Sequence, residues 1–445
     1  MADRKGKQGD QGPSALTVAV IAVVIFILYR ALTAEPPAVP EKLTGDITHV
    51  HDPALVKDGD TWYLFSTGWG IPIRRSSDLA HWDSVGSVFP HGLPGWVRKQ
   101  VPALPSGELS GWAPDVSKGR DGRWHLYWSI GVFGSTKAVI GHASNASLDP
   151  SASDYKWVDE GPVVTSGGRG DNSGGSMAID PDAVVDEKGD PWLAWGSFGH
   201  GIMLRRLDPK TGSFLVGSHT FNLARRDPFF LGIEGADLVR KDGWWYLFVS
   251  FGFCCRGTSS QYSVHVGRSR AISGPYVDEA GAPMLRNGGT TVVGSYANVV
   301  GPGHSSVVKN GNSWVLANHF YDRNDHGTST LMLRPLAWGP DGWPISPDAG
   351  FDSDRVDAAD VEGRWHIVGY PEDAPARPPD DVTVDLRKNH SVAPSGTWTV
   401  DRGIVHITNV KTRHGPRNWW FVLDPDKHMA FGRDNRTAAV RALHG

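Results

Sequence analysis

Five stretches of this chain repeat one pattern of hydrophobic and polar positions. Each stretch opens with a short polar or acidic group, continues through apolar residues to a charged or glycine-containing turn, and ends in an alternating run rich in tryptophan. The copies occupy residues 51–67, 112–129, 179–197, 233–250 and 301–319. Turns such as Asp58-Gly59 and Asp121-Gly122, flanked by alternating segments, predict that each copy is a β-hairpin. No long helical periodicity separates the copies.

The spacing of the copies predicts the architecture. An all-β unit repeated at such intervals is typical of a β-propeller, and five copies predict five blades over residues 46–350. A β-sandwich with five similar hairpins is the alternative. A proline-rich break at residues 375–381 and further short alternating segments predict a barrel over residues 356–445. The predicted fold class is therefore all-β, a five-bladed β-propeller followed by a small antiparallel β-barrel, with an N-terminal membrane anchor helix.

The N-terminus predicts export. Residues 1–14 are polar, residues 15–29 carry no charge, and snorkelling of Arg30 brings the apolar run of residues 15–34 close to the length of a membrane span. A cleaved signal peptide is one interpretation, although Leu32 is a poor residue three places before a cut after Ala34. We favour an uncleaved signal anchor with a cytoplasmic tail (residues 1–14), a linker (residues 35–45) and the predicted propeller outside the cell membrane. Cleavage would instead give a secreted protein.

The amino-acid composition limits the classes of molecule that this protein is expected to bind. The net charge of −4, without a basic stripe, argues against nucleic acid. Most of the 19 tryptophans suit a core, but a few would stack on the flat faces of sugar rings. The two cysteines, Cys254 and Cys255, are adjacent, which excludes a loop-closing disulfide and the usual spacing of zinc ligands. A vicinal disulfide and two free thiols both remain open.

Three carboxylates fall at corresponding points of the repeats. The first strand of each propeller blade lines the central axis, so residues at one point of the repeat converge in space. Reading that point along the chain gives Asp52, Ala113 with Asp115 two residues on, Asp180, Glu234, and the Gly303-His304 pair. An Asp before Pro often only caps a turn, but burying three like charges together is costly and indicates a functional site.

These three residues suit glycoside hydrolysis. The reaction needs one protonated carboxyl to give the leaving oxygen a proton, and one ionised carboxylate to activate water or to attack. Glu234 lies between an apolar residue and small ones, which predicts poor solvation and a neutral form. Asp52 and Asp180 precede prolines that restrict the local backbone.

The order of these motifs resembles that of a known enzyme family. HDP at residues 51–53, IDP at 179–181 and EG at 234–235 are similar to the catalytic set of glycoside hydrolase family 43. GIPIRRSSDLAHW at residues 70–82, and CCRG at 254–257 followed by VGRS at 266–269, resemble endo-α-1,5-L-arabinanases. The likeness covers nearly all of residues 46–350, and the tail is similar to a C-terminal β-barrel module carried by some members.

The resemblance implies an inverting hydrolase that cleaves arabinan, or a related plant cell-wall polysaccharide, internally. It implies that Asp52 is the general base, Glu234 the general acid, and Asp180 the group that orients the acid and tunes its pKa. His304 matches a histidine near a bound cation, usually calcium (Ca2+), in the central channel, with a hydrogen-bonded core histidine as the alternative. Trp112 and Phe133 match aromatic residues of the substrate groove, and a core position is the alternative for each.

Two other functions remain open. Residues 166–181 are longer and richer in glycine than the family pattern, and a wall there would favour an exo-acting α-L-arabinofuranosidase or β-xylosidase. A sugar-binding propeller without activity is the other alternative, although all three carboxylates are present. In the tail, Trp419 and Trp420 are candidate polysaccharide contacts, and their adjacency in a strand predicts one indole inside and one outside.

Overall fold

The computed structural model describes residues 39–40, 42–168, 170–228, 231–339, 341–347, 358–369, 381–401, 403–413, 415–423, 429–434 and 439–444. The predicted cytoplasmic tail, the anchor segment and part of the predicted linker lie outside these residues. The helices are α1 (Val97–Gln100), α2 (Ala358–Val361) and the 3-10 helices Gly257–Ser259, Met284–Arg286 and Arg323–Asp325. Among the described residues, none of them has the length and apolar character needed to cross a membrane.

Most of the regular structure is β-strand. In chain order the strands before residue 350 are β1 (Thr44–Gly45), β2 (Ala54–Asp58), β3 (Thr61–Phe65), β4 (Gly68–Trp69), β5 (Pro72–Ser76), β6 (His81–Ser87), β7 (Ser110–Lys118), β8 (Trp124–Gly131), β9 (Ala138–Asn145), β10 (Val158–Ser166), β11 (Asp182–Val185), β12 (Pro191–Trp195), β13 (Ile202–Arg206), β14 (Thr220–Ala224), β15 (Ile233–Lys241), β16 (Trp244–Phe251), β17 (Ser263–Ser269), β18 (Thr290–Val293), β19 (Val299–Asn310), β20 (Ser313–Asp322), β21 (Thr328–Pro335), β22 (Ala337–Trp338) and β23 (Pro344–Ile345). After them come β24 (Gly363–Gly369), β25 (Asp381–Leu386), β26 (Val392–Ala393), β27 (Thr397–Asp401), β28 (Ile404–Thr412), β29 (Gly415–Leu423), β30 (Met429–Asp434) and β31 (Ala439–His444).

Strands β1–β21 form five successive sheets, which we call blades 1–5. Their strand orders are β1-β6-β5-β3-β2, β10-β9-β8-β7-β4, β11-β12-β13-β14, β15-β16-β17-β18 and β19-β20-β21. The strands that open the five repeats, β2, β7, β11, β15 and β19, contact one another in that order, and β19 also contacts β2. The sheets therefore close into a ring with these strands nearest its axis, which is the β-propeller that the repeats predict.

Apolar side chains fill the spaces between neighbouring blades. One buried cluster joins Phe65 and Ile73 of blade 1 to Leu126 and Trp128 of blade 2, and a similar cluster joins blades 3 and 4. The tryptophans of the repeats supply much of this packing, since Trp62, Trp128, Trp195 and Trp245 are fully buried. Large indoles suit these wedge-shaped spaces because each buries a large apolar area.

The ring closes between blade 5 and blade 1. The residues just before the first repeat lie along β21, where Thr48 forms a bridge with Thr330 and the Leu331 amide donates to the Ile47 carbonyl at 2.9 Å. We call residues 47–48 and 330–331 the closure seam. The start of the domain is thereby tied to its last blade, while β1 pairs in parallel with the outer strand β6 of blade 1.

Inner-strand side chains also join blade 2 to blade 3, blade 3 to blade 4, blade 4 to blade 5 and blade 5 to blade 1. Asp115, Asp182 and Asp237 accept backbone hydrogen bonds from Ala183, Leu238 and Val307 of the following blade at 2.8, 3.0 and 2.8 Å, and Ser306 accepts one from Leu55 at 3.0 Å. Burial raises the pKa of Asp115 to about 6, and it raises the pKa values of Asp182 and Asp237 well above the ordinary range. Asp115, which the sequence associated with the carboxylates of the channel mouth, belongs to this joining layer.

The chain after residue 350 forms one antiparallel sheet with the order β26-β25-β24-β31-β30-β29-β28-β27. A bridge between Ser391 and Thr397 connects the two ends of that order. Trp419 lies in the core of this sheet, whereas Trp420 packs against Ile345 of the short β22–β23 hairpin. The two indoles therefore lie on opposite faces of β29, one inside the sheet core and one outside it, as the sequence predicts. Both are buried, because the hairpin that follows blade 5 covers the outer face of β29.

Candidate active site

A left-handed backbone turn marks the same point of each inner strand. The residues with positive φ there are Asp52 (48°), Ala113 (42°), Asp180 (55°), Gly235 (61°) and His304 (53°). Four of the five carry a Cβ atom, which makes this conformation unfavourable by roughly 1–2 kcal/mol per residue. Such outliers persist only where the surrounding structure holds them, and they cluster at functional sites.

This turn corrects the alignment of the fourth repeat. The sequence placed Glu234 at the point of Asp52 and Asp180, but Gly235 occupies the turn and Glu234 lies one residue earlier. The fourth repeat has Gly-Ala where the first and third have Asp-Pro, so the glycine takes the left-handed position. Glu234 therefore approaches the site from a different backbone position than the two aspartates.

The second strand of each blade supplies a polar side chain to the turn of the next blade. The turn amides of Ala113, Asp180, His304 and Asp52 donate to Thr67 Oγ1 (2.8 Å), Ser129 Oγ (3.4 Å), Ser250 Oγ (2.7 Å) and His319 Nδ1 (3.1 Å), respectively. The corresponding residue of blade 3, Ser197, instead donates to Glu234 Oε2 at 2.6 Å. The strained turns are thus held by hydrogen bonds between blades.

Asp52 lies among three imidazoles and a hydroxyl. Its Oδ2 accepts from Thr67 Oγ1 at 2.6 Å and lies 2.8 Å from His51 Nδ1, while its Oδ1 lies 3.2 Å from His304 Nδ1. Burial by itself would raise the pKa of Asp52, but His51, His304 and the hydrogen bond from His51 together hold that pKa far below its usual range. This environment therefore favours the ionised form of Asp52.

His319 supports Asp52 without carrying charge. Its Nδ1 lies 3.6 Å from Asp52 Oδ1, but the same nitrogen accepts the Asp52 backbone N–H at 3.1 Å and so holds no proton for the carboxylate. Burial lowers the pKa of His319 well below its ordinary value, which agrees with a neutral ring. The contact is positional, because it fixes the backbone of Asp52.

Glu234 has the opposite environment. Tyr262 donates to its Oε1 at 2.8 Å and Ser197 to its Oε2 at 2.6 Å, and no cation lies against it in the described residues. Burial raises the pKa of Glu234, the two hydroxyls lower it, and the charge of Asp52 raises it again, so that the net shift is upward. A carboxyl with a raised pKa is suited to donate a proton.

Asp180 interacts electrostatically with both of the other carboxyls. Its Oδ2 accepts a hydrogen bond at 3.1 Å from the amide of Gly235, the residue after Glu234. Burial, then the charges of Glu234 and Asp52, raise the pKa of Asp180 well above its usual value. Burial raises the pKa of the Tyr262 hydroxyl, and the charges of Glu234, Asp180 and Asp52 raise it further. The three predicted carboxyls therefore face one common site.

The predicted aromatic residues differ in exposure. Trp112 on β7 is half-buried against the core between blades 1 and 2, and Phe133, which follows β8, is 81% exposed. Sequence analysis missed Trp69, which is 57% exposed on β4. Trp69 pairs with Ser110 of β7, and Ser110 and Trp112 lie on one face of that strand.

The opposite face of β7 meets the blade core. A Cβ atom at Gly111 would lie 2.5 Å from Ile71 Cγ1 and 3.5 Å from Trp128 Cε3. Trp69 and Trp112 therefore share the outward face of the β4–β7 ladder, beside the Thr67 hydroxyl that binds Asp52. The signal that sequence reasoning could have used is an indole between glycines in the segment TGWGI at residues 67–71.

The hydrogen-bonding partners were also missed, although the repeats contain a signal for them. Thr67, Ser129, Ser197 and Ser250 close the second strand of the first four repeats, and Asn318-His319 closes the fifth. Ser176 supports one of them from the glycine-rich segment, since its Oγ accepts from the Ser197 amide at 3.2 Å and donates to the Gly201 carbonyl at 2.6 Å. Ser176 of the glycine-rich segment therefore stabilises the loop that carries Ser197 through these two hydrogen bonds.

The residues around His304 fit a calcium cage poorly. Its Nδ1 faces Asp52, and its Nε2 makes no hydrogen bond within the described part of the chain. Calcium takes six to eight oxygen ligands. Among the described residues, the groups with three ligand atoms close together are His51-Asp52-His319 and His51-Cys254-Cys255, and neither contains His304. A cation beside His304 would have that ring as its single side-chain ligand.

The two cysteines form a vicinal disulfide, which decides between the two states that the sequence left open. Cys255 has a left-handed φ of 66° and is exposed. Its Sγ lies 3.8 Å from His51 Nε2. The disulfide therefore borders the imidazole that contacts Asp52.

The chain is similar to proteins of one known family. The model of the family described as glycosyl hydrolases family 43 matches residues 47–344. Extracellular endo-alpha-(1->5)-L-arabinanase 1 of Bacillus subtilis (strain 168) is 38% identical over 299 residues, which are 66% of this chain and 87% of that protein. Extracellular exo-alpha-(1->5)-L-arabinofuranosidase ArbA of Cellvibrio japonicus (strain Ueda107) is 34% identical over 313 residues, 68% of this chain and 88% of that protein.

One crystal structure also resembles the chain beyond the propeller. The endo-1,5-alpha-L-arabinanase from Thermotoga petrophila RKU-1 covers 91% of this chain and 100% of its own, with a TM-score of 0.76. Its sequence identity is 23%, so this likeness concerns the fold alone.

We predict that Tyr262→Phe moves the alkaline limb of the pH–rate profile upward by about one pH unit. The hydroxyl of Tyr262 stabilises ionised Glu234, so its removal raises the pKa of Glu234 and keeps the acid protonated to higher pH. The measurement is kcat/KM against pH on a substrate whose leaving group must be protonated. Tyr127→Phe, which removes a buried hydroxyl bonded to the Gly212 carbonyl, is the control. A limb that stays in place or moves to lower pH contradicts the assignment of Glu234.

Proposed function

This chain belongs to glycosyl hydrolases family 43, and we propose that it cleaves α-1,5-linked L-arabinan internally by an inverting mechanism. The observation that carries the proposal is the division of charge between Asp52 and Glu234. Imidazoles hold Asp52 ionised, and burial favours a protonated Glu234. One ionised and one protonated carboxyl facing the same space are the two groups that an inverting glycosidase needs.

The reaction then follows from these two protonation states. Asp52 accepts a proton from a water molecule whose oxygen attacks the anomeric carbon. Glu234 gives its proton to the glycosidic oxygen as the bond between carbon and that oxygen breaks. Water and the leaving group are on opposite faces of the sugar, so the configuration inverts, and the two carboxyls are expected roughly 6.5–9.5 Å apart.

Asp180 positions and tunes the acid. The hydrogen bond that it accepts from the Gly235 amide fixes the backbone directly after Glu234. Its charge repels that of Glu234, and each carboxyl therefore disfavours ionisation of the other. Loss of this side chain would affect the orientation and the protonation of Glu234 together.

The substrate groove runs past the β4–β7 ladder. We propose that Trp112 contacts the sugar nearest Asp52 and that Trp69 and Phe133 stack on units farther along the chain. The exposure of Trp69 and Phe133 favours this role, because a large aromatic side chain left in water at a groove is typical of carbohydrate contacts. Several exposed platforms in line suit a chain bound in its interior.

Exo action is the second candidate. It is favoured by the glycine-rich segment at residues 166–181, which contributes Ser176 beside Ser197 and so lies at one side of the acid. The similar proteins include one described as endo-acting and one described as exo-acting, at comparable identity. Product size distinguishes the two modes.

Export and the C-terminal sheet complete the proposal. We propose that the apolar N-terminal run anchors the enzyme in the cell membrane with the propeller outside, and that cleavage of the run would release it. Arabinan is a polymer found outside cells, which supports this location. We further propose that the eight-stranded sheet is a closed β-barrel, supported by the Ser391–Thr397 bridge between its two end strands.

Hydrolysis by Glu234→Ala tests the assignment of the acid. We expect this variant to lose nearly all activity on linear arabinan, about 10²–10⁴-fold in kcat, because the leaving sugar oxygen needs a proton. Activity on an aryl arabinofuranoside with a good leaving group should largely survive, since that group departs without one. Equal losses of kcat on both substrates would show that Glu234 is not the acid.

Digestion of linear arabinan by the wild-type protein tests the mode of action. Internal cleavage predicts that oligosaccharides of several units accumulate early, while monosaccharide stays a minor product. Size separation of the products at low conversion is the measurement. Release of monosaccharide alone from the first minutes supports the exo candidate, and no release of reducing sugar supports an inactive sugar-binding propeller.

The cation proposed in the central channel has its own test. We propose that His304 provides one nitrogen ligand and that water provides the others, so the ion stabilises the ring without taking part in a step. A strong chelator should then lower Tm of the wild-type protein and leave Tm of His304→Ala unchanged. An equal Tm of the wild-type protein with and without the chelator argues against an exchangeable ion at this position.

A further inference from the structure

A chain of hydrogen bonds runs from the vicinal disulfide to Asp52. The backbone amide of Cys255 donates to the Tyr321 hydroxyl oxygen at 2.7 Å. That oxygen lies 2.7 Å from His51 Nε2, and His51 Nδ1 lies 2.8 Å from Asp52 Oδ2. Each link is short enough for a strong hydrogen bond.

The carboxylate fixes the direction of the chain. A carboxylate that serves as the base can only accept, so His51 Nδ1, which lies 2.8 Å from Asp52 Oδ2, must carry a proton. In the neutral ring Nε2 is then an acceptor, and the Tyr321 hydroxyl donates to it, while in the charged ring Nε2 donates to the same oxygen. Tyr321 therefore keeps a partner on Nε2 in both states and holds the Nδ1 proton toward Asp52.

The disulfide holds the far end of this chain. Cys255 carries a Cβ atom in the left-handed region, a conformation that an unrestrained residue of this kind seldom adopts. The covalent link to Cys254 restrains it there and aims its N–H at Tyr321. Without that link the residue is free to leave the left-handed region, and the N–H then turns away from the hydroxyl.

We propose that the vicinal disulfide, Tyr321 and His51 form a positioning relay for the base, so that the hydrolase is active in the oxidised state and loses turnover when the disulfide is reduced. This inference rests on the proposed function in one respect, the role of Asp52 as the base. His51 and Tyr321 are positioning residues, since they act on substrate only through Asp52.

The redox step is a thiol–disulfide exchange with a dithiol reductant. A thiolate of the reductant attacks one sulfur of the Cys254–Cys255 bond, and its second thiol completes the exchange. The sulfur–sulfur bond of the protein breaks, two protein S–H bonds form, and the reductant becomes a cyclic disulfide. Two electrons and two protons pass to the protein. The exposure of Cys255 gives the reductant access.

Substrate choice separates loss of the base from loss of the acid. Every glycoside needs the water molecule that Asp52 activates, whereas only a poor leaving group needs the proton of Glu234. Damage to the relay should therefore lower kcat on linear arabinan and on an aryl arabinofuranoside by the same factor. A general loosening of the groove would instead raise KM, and most for arabinan.

The experiment compares three variants with the wild-type protein: Tyr321→Phe, the double variant Cys254→Ser/Cys255→Ser (the serine pair), and the triple variant that combines all three changes. The fourth sample is wild-type protein reduced with dithiothreitol, in which mass spectrometry counts the free thiols. We expect kcat to fall roughly ten- to hundredfold on both substrates, with KM within about twofold of the wild-type value. The triple variant should resemble Tyr321→Phe, because changes within one chain of contacts are not additive. Tyr127→Phe, outside the site, should match the wild type.

Several results would overturn the relay. A wild-type kcat in the serine pair or in the reduced wild-type protein would contradict it. So would a fall in kcat that is confined to arabinan, or a fall in the triple variant that equals the product of the separate falls. If the serine pair does not fold, reduced wild type with two counted thiols gives the same comparison. Wild-type protein that cleaves neither substrate would instead refute the proposed function, so the two failures are distinguishable.

Discussion

Three carboxyl groups buried within electrostatic reach of one another cannot all carry charge, and the surroundings of each group decide where the charge goes. Around Asp52 the neighbours are imidazoles and a hydroxyl, which favour the anion. Around Glu234 they are two hydroxyls, whose hydrogen bonds do not offset burial and the charge of Asp52. Asp180 has one backbone amide and two acidic neighbours, and burial together with their charges raises its pKa well above the usual value. The protonation states of the three groups differ through these neighbours, since all three begin as ordinary carboxyls.

The propeller supplies those neighbours by contacts between blades. The turn that presents Asp52 is held by His319 of blade 5, and the turn that presents Asp180 is held by Ser129 of blade 2. A left-handed turn at a residue with a Cβ atom is unfavourable alone and stable only with such a partner. The joining layer below it, with Asp182 as one member, fixes the spacing of the inner strands in the same manner. One system of hydrogen bonds between blades therefore fixes both the positions of the carboxyl groups and the spacing of the inner strands.

The sequence predicted the position of a residue where that residue falls at a corresponding point of the five repeats. Asp52, Asp180 and Glu234 were predictable because the repeat places them at one end of the inner strands, and the propeller itself followed from the same spacing. The one-residue offset of Glu234 was not predictable, because it depends on Gly235 taking the left-handed position in a repeat that has no proline there. Tyr262 lies outside the repeated segments, and its contact with Glu234 depends on how β17 approaches β16. The burial of Trp420 depends on a hairpin far earlier in the chain.

Asp52, the proposed base, lies where the ring closes, and this has a consequence for stability. Asp52 belongs to blade 1, while His304, His319 and Tyr321 belong to blade 5, and the two blades are joined beside the closure seam at residues 47–48 and 330–331. Local opening of a protein requires less free energy than global unfolding and occurs where cooperative units meet. Opening of this seam would separate Asp52 from His304 and His319, and it would separate His51 from Tyr321. The disulfide at Cys254–Cys255 lies on blade 4, so its bond through Tyr321 ties a third blade to the same place. Activity should consequently respond to disturbance of this seam sooner than the folded structure as a whole does.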